Sequence, residues 1–176
     1  MEKFRKFNFA EIQNSKLKGG FWGKRTENYM EIIDSMLDAL LCPTNSARLL
    51  NFGIAAGEVN DKFFGSEWSD GDCFKFLEGC CYVYQNTGDQ KVLDVINKYV
   101  PWIVKSQEAD GYLSTQVTLT DRERWTDYMN HELYNMGHFF TFSVAHVRIT
   151  RDERMIDCAV KLADYLWDVF SSYPKE

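Results

Sequence analysis

The chain repeats itself. Displaced by 63 positions, residues 70–108 return as residues 131–170: Leu77, Cys81 and Tyr84 fall on Phe140, Val144 and Val147, and Thr87 and Asp89 on Thr150 and Asp152. Val92, Leu93, Ile96, Val100 and Ile103 fall on Met155, Ile156, Ala159, Ala163 and Leu166. In each copy the apolar residues recur three and four apart, the period of a helix that buries one face. Between the two helical patterns of each copy stands the same Thr-x-Asp break. Asp89 is expected to cap the second helix, and Asp70 or Ser69 the first, with Asp72 adding favourable charge at that helix start. Pro101 should kink the second helix or mark a restart. Each copy is a helix–turn–helix unit that cannot bury both faces alone. Neighbours must therefore stack, as an open solenoid or a closed α/α toroid.

The rest of the chain fits an all-α fold. Residues 24–41 carry one wide apolar face, which predicts a helix ending before Pro43. A short apolar segment, residues 47–56, follows and is closed by Gly57. Residues 109–130 form a long loop rich in Asp, Tyr, Thr, Arg and Trp, the kind of segment that carries binding surfaces on repeat scaffolds. At 176 residues the chain has the length of one domain, and its 20 basic against 26 acidic residues argue against a nucleic-acid partner. The longest uncharged run, Leu133 to Val147, is too short and too polar to span a bilayer, and no apolar leader segment follows the charged N-terminus. Five cysteines, an odd number set mostly in helical patterns, read as reduced thiols and point to the cytoplasm.

Few residues invite a chemical role. His131-Glu132-Leu133-Tyr134-Asn135 begins like a zinc-protease helix, but Asn135 stands where the second histidine is required. His131, His138 and His146 follow one another along a helical face about 10–12 Å apart, too far to share a metal. His138 and His146 read as partly buried histidines bonded to neighbours, whereas His131 sits at a helix start within reach of a ligand. Cys80 and Cys81 point about 100° apart on a helix and read as core thiols. No catalytic residue and no metal ligand is assigned. The aromatics Trp68, Tyr112, Trp125 and Tyr128 lie in loops beside Asp, Asn and His. Such rings either stack on the C–H faces of a sugar or pin their loops to the body.

An ordered series of motifs carries a resemblance. It runs Phe21-Trp22-Gly23-x-Arg25, then Asn51-Phe52-x-Ile54-Ala55-Ala56-Gly57, then Phe64-Gly65-x-x-x-Ser69-Asp70-x-Asp72-x-Phe74-Lys75-Phe76-Leu77-Glu78. Asp110-Gly111-Tyr112-Leu113-x-Thr115, Arg124-Trp125 and His131-Glu132-Leu133-Tyr134-x-x-Gly137-His138 complete it. The series resembles the N-terminal part of the glycoside hydrolase family 127 (β-L-arabinofuranosidase) catalytic barrel. The resemblance implies an N-terminal arm over residues 1–20 and, over residues 21–176, about half of an (α/α)6 toroid. It implies a sugar pocket lined by His131, with Glu132 and Tyr134 in support and Asp72, Trp125 and Tyr112 nearby. The expected ligand is an arabinofuranose-containing glycan. The family's acid/base glutamate, cysteine nucleophile and cysteine/glutamate zinc site are expected downstream of this chain, so zinc belongs to the full-length family and no cofactor to this segment. A departure is that no glutamine occurs between Gln13 and Gln85, where family members often place one to contact substrate. The alternatives are a non-catalytic carbohydrate-binding module and a helical-repeat interaction module. A half ring would also leave faces through which copies could self-associate.

Overall fold

In the computed structural model, residues 18–45 and 47–172 are described. Nearly all of the expected arm lies outside them. The described residues form eight α-helices and no strand: α1 (Gly20–Glu27), α2 (Tyr29–Leu41), α3 (Leu50–Ala55), α4 (Ser69–Thr87), α5 (Gln90–Ser106), α6 (Thr115–Thr118), α7 (Glu132–Thr150) and α8 (Arg154–Phe170). None of the described helices is long and apolar enough to cross a membrane.

The repeat survives at the level of single hydrogen bonds. α4 and α7 are each 19 residues long, and α5 and α8 each 17. The Thr87 hydroxyl donates to the Val83 carbonyl at 2.8 Å and accepts from the Asp89 N–H at 3.1 Å. Thr150 does the same with His146 and Asp152, at the same two distances. Asp89 then caps α5 by accepting from the Lys91 N–H, and Asp152 accepts from the Arg154 N–H in the same way. Between these residues the chain passes through the left-handed region, at Gly88 (φ 70°) and at Arg151 (φ 62°). Glycine occupies that region without strain, whereas an arginine there costs about 1–2 kcal/mol.

α4 and α7 form the most extensive helix pair, and α5 and α8 lie beside their own partners. Phe74 on α4 lies 5.2 Å from Phe139 and 6.4 Å from Phe142 on α7, ring to ring, and 5.3 Å from Phe52 on α3. Cys73, Leu77, Cys81, Val92, Ile96, Met155 and Leu162 complete a fully or almost fully buried interior. Cys73, Cys80, Cys81 and Cys158 are buried free thiols, and burial raises the Cys80 pKa to about 12.

Four expectations change. The single helix over residues 24–41 is two, because Asn28 leaves helical geometry (φ −102°, ψ 17°) and its carbonyl accepts from the Ile32 N–H to open α2. The Tyr29 hydroxyl fixes that start by donating to Asp89 at 2.8 Å, so α2 is tied to the turn between α4 and α5. Pro101 sits inside α5, so the helix does not restart there. Neither Asp70 nor Ser69 caps α4, whose preceding residue is Trp68 and which has no side-chain cap. His146 also differs: it is fully buried with neither ring nitrogen hydrogen-bonded, and burial depresses its pKa.

The two turns make a direct test. Arg151→Gly is expected to stabilise the chain by about 1 kcal/mol and Gly88→Ala to destabilise it by about as much, since the Gly88 position has open space for a Cβ and only the backbone objects. Urea unfolding of both variants measures this, and an unchanged midpoint for each would contradict the assigned turn geometry.

Candidate functional site

The start of α4 sets the frame. Asp70 is buried, and its carboxylate accepts from the Thr115 backbone N–H at 2.7 Å and the Thr115 hydroxyl at 2.5 Å. Those bonds fasten the beginning of α6, and with it the long loop, to α4. Burial outweighs the two hydrogen bonds and raises the Asp70 pKa to about 6. One residue on, the Gly71 N–H donates to the Asn135 side-chain oxygen at 3.0 Å, and the Asn135 amide donates to the Glu67 carbonyl at 2.8 Å. A Cβ at Gly71 would meet that asparagine oxygen at 2.7 Å. Asn135, the residue that spoils the zinc-protease pattern, is therefore the clamp between the two repeats.

The loop that follows is held in an improbable backbone shape. Trp125 (φ 64°) and His131 (φ 55°) are both left-handed and neither is glycine. Glu132, the first residue of α7, holds this shape with both carboxylate oxygens. One accepts from the Tyr112 hydroxyl, and the other from the Trp125 N–H at 2.9 Å. The Trp125 indole donates to the Tyr165 hydroxyl at 3.0 Å, and its ring lies 5.0 Å from that of Phe170. Arg124 lies 3.9 Å over the Tyr112 ring and pairs with Glu108 and Asp110 at 2.6 and 2.5 Å. Burial first, and then the hydrogen bond to Glu132, raise the Tyr112 pKa.

On the outer side of this assembly lies a pocket of about 300 Å³ whose wall includes Trp125, Tyr128, His131, Glu132, Leu133 and Tyr134. Tyr128 is 91% exposed. The rings of Trp68, His131, Tyr134 and His138 form a chain of edge contacts 5.6, 5.9 and 4.7 Å apart. The Met129 carbonyl accepts from His131 Nδ1, which in the neutral ring leaves Nε2 as the lone-pair nitrogen. Lys75 donates to the Tyr134 hydroxyl at 3.1 Å and pairs with Asp72 at 2.8 Å; Asp72 also pairs with Arg48 at 2.6 Å.

Of the six residues expected at a sugar pocket, the structure brings four together around this cavity: His131, Glu132, Tyr134 and Trp125. Tyr112 is not among them, being fully buried behind Glu132. Asp72 is held to one side in its two ion pairs, linked to the pocket only through Lys75 and Tyr134. Sequence reasoning missed Asn135, Asp70 and Leu133 in these roles. Asn135 carried a usable signal, since a polar residue one turn into an apolar helix needs a partner. Among the described residues no group of three His, Cys, Asp or Glu side chains is placed to hold a metal ion. The buried, high-pKa thiols of Cys80 and Cys81 do not fit zinc ligation.

Comparison with known proteins gives consistent matches. The family model described as β-L-arabinofuranosidase, GH127 catalytic domain, matches residues 14–176. A non-reducing end β-L-arabinofuranosidase of Bifidobacterium longum subsp. longum is 28% identical over 87% of this chain and 27% of its own. The crystal structure of a GH127 β-L-arabinofuranosidase from Geobacillus stearothermophilus T6 superposes with a TM-score of 0.82 at 33% identity, covering 88% of this chain and 26% of that one. A second GH127 β-arabinofuranosidase structure gives 0.74 at 28% identity, covering 89% of this chain and 26% of that one. The chain thus spans about a quarter of the length of these relatives.

Two substitutions test the frame. Asn135→Ala should cost about 2–3 kcal/mol, because it strands the Gly71 N–H and the Glu67 carbonyl at a helix junction; a loss under 0.5 kcal/mol in urea unfolding would contradict the clamp. For Asp70 the sign follows from its raised pKa. The folded state holds more protons than the unfolded between about pH 6 and 4, so this group's contribution to stability rises as pH falls through that window. Relative to Asp70→Asn, the wild-type chain should gain up to about 3 kcal/mol between pH 7 and pH 4. A pH-independent difference between the two would show that the carboxyl is not buried as described.

Proposed function

Because the chain belongs to the β-L-arabinofuranosidase GH127 catalytic-domain family, we propose that it forms one wall of an arabinofuranoside pocket and binds the sugar without the full catalytic set. The family match favours this over a stand-alone binding or scaffold module. The observation that carries the reading is the pocket at the start of α7, where His131 and Tyr134 stand beside the rings of Trp125 and Tyr128. Its volume of about 300 Å³ lies at the low end for ligand sites, which suits one furanose ring. His131 Nε2 accepts from a sugar hydroxyl, Tyr134 bonds a second, and the exposed Tyr128 ring covers a C–H face. Glu132 and Tyr112 hold the loop, and Asp72 orients Lys75 against Tyr134.

In the whole enzyme the family's chemistry is retaining hydrolysis, in which a thiolate attacks the anomeric carbon and a carboxylic acid protonates the leaving oxygen. That nucleophile, that acid and the family's zinc are supplied by residues outside this chain, and no step here runs through the metal. The described residues act as one partial barrel domain. The buried free thiols of Cys73, Cys80, Cys81 and Cys158 support a cytoplasmic setting.

Calorimetric titration with methyl β-L-arabinofuranoside tests the reading. Millimolar binding is expected, at least tenfold weaker in His131→Ala and in Tyr134→Ala, with no appreciable hydrolysis. No heat at millimolar sugar would sink the pocket assignment, and turnover at an ordinary enzymatic rate would sink the claim that the set is incomplete.

A further inference from the structure

Two hydrogen bonds at the pocket can run in one direction only. An ammonium carries donors and no acceptor, so in the 3.1 Å contact between Lys75 Nζ and the Tyr134 hydroxyl oxygen Lys75 donates and Tyr134 accepts. The ammonium lies 5.5 Å from the centre of the Tyr134 ring, off its hydroxyl end and not over its face, so it meets a lone pair of the oxygen. Lys75 is held in that place. Its second contact is Asp72 Oδ1 at 2.8 Å, and Arg48 fixes the other oxygen of Asp72 at 2.6 Å. The bond to Asp72 first, offset in part by desolvation and reinforced by Tyr134, raises the Lys75 pKa, so the ammonium stays charged. At His131 the direction is the reverse. Nδ1 faces the Met129 carbonyl, which can only accept, so the neutral ring offers Nε2 as an acceptor. Tyr134 stands 63 positions after Gly71, so its ring and the contact to Lys75 have no counterpart in the first repeat.

We propose that Lys75 is a positioning residue that fixes Tyr134 as a hydrogen-bond donor, so that the pocket reads a sugar through one acceptor, His131 Nε2, and one donor, the Tyr134 O–H. The inference rests on the sugar reading and specifies the ligand chemistry which that reading leaves open. A hydroxyl that accepts from a cation donates more strongly through its own proton, and a second donor approaching the same oxygen would meet the ammonium charge. The ligand must therefore bring a free hydroxyl to His131 and any oxygen, protonated or not, to Tyr134. A ring, glycosidic or substituted oxygen satisfies the second contact and fails the first. The pair thus distinguishes furanosides by which of their oxygens is substituted. Lys75 is exposed, and exposed ion pairs contribute little to stability, so its contacts act on the ligand more than on the fold.

Calorimetric titration of the full chain with methyl β-L-arabinofuranoside and its deoxy and deoxyfluoro forms tests this, because fluorine on carbon accepts weakly and never donates. Lys75→Met is expected to weaken binding of the parent sugar about fivefold at an unchanged melting temperature, and Lys75→Arg, which keeps a cationic donor, to restore most of it. In a Tyr134→Phe background Lys75→Met should cost nothing further, a coupling that a merely structural role would not produce. At one position the deoxyfluoro form should bind as poorly as the deoxy form, a loss that disappears in His131→Ala. At no position should such an equal loss disappear in Tyr134→Phe. Parent-sugar binding that Lys75→Met leaves unchanged overturns the proposal, as does the same loss from Lys75→Met in the Tyr134→Phe background. An equal deoxy and deoxyfluoro loss that depends on Tyr134 overturns it too, by showing that Tyr134 accepts. No binding by the wild-type chain sinks the sugar reading and this inference together, a result that none of the variant outcomes imitates.

Discussion

The structure depends on a close approach between two backbones at the first turn of α4. Gly71 lacks the Cβ that would collide with Asn135, so α7 comes near enough for a side-chain amide to bond both the Gly71 N–H and the Glu67 carbonyl. Next to it, Asp70 holds Thr115 from inside the protein. The two contacts join segments 45 and 64 residues apart. The Asp70 carboxylate is costly to bury, and two hydrogen bonds offset that cost only in part. Its retention is best understood as specification of the junction, since few other side chains accept from both Thr115 donors at once.

From that junction the division of labour in the pocket follows. Two non-glycine residues in the left-handed region would not persist in a loose loop, because each costs on the order of 1–2 kcal/mol. They persist because Glu132, Tyr112, Arg124 and Tyr165 determine the path of the loop several times over. Rigid residues lie behind the pocket and reactive-looking ones in front. The His131-Glu132-Leu133-Tyr134-Asn135 motif divides between exposed and buried members, with Leu133 and Tyr134 exposed and His131 half-buried at the pocket wall. Glu132 and Asn135 are buried, the first holding Tyr112 and the Trp125 N–H, the second the Gly71 N–H and the Glu67 carbonyl.

How much of this was legible in the sequence depended on the range of each interaction. The helical hairpins were readable because a helix advertises its buried face every three to four residues, and the Thr-x-Asp turns because their bonds close within four positions. Asp70 was misread as a cap for the opposite reason. Locally it looks like a helix-start carboxylate, and nothing nearby discloses that Thr115 claims it. Tyr112 was expected beside the pocket and instead lies buried behind Glu132, because a sequence gives its neighbours in the chain and not those in space. Tyr134 was found through motif resemblance, whereas His131 was also set apart from His138 by its place at a helix start beside the long loop.

The exchange of Gly71 for Tyr134 between otherwise matching positions has a consequence for assembly in solution. A repeat that docked on its successor in the same way it receives its predecessor would have no natural end. Its head-to-tail contact would not close, and such contacts grow filaments. Tyr134 stands where Gly71 opens the slot for Asn135 one repeat earlier, so the two copies share a turn and a register but not that slot. The same ring that faces the pocket thus occupies, in the second copy, the place through which the first copy admits its neighbour's amide.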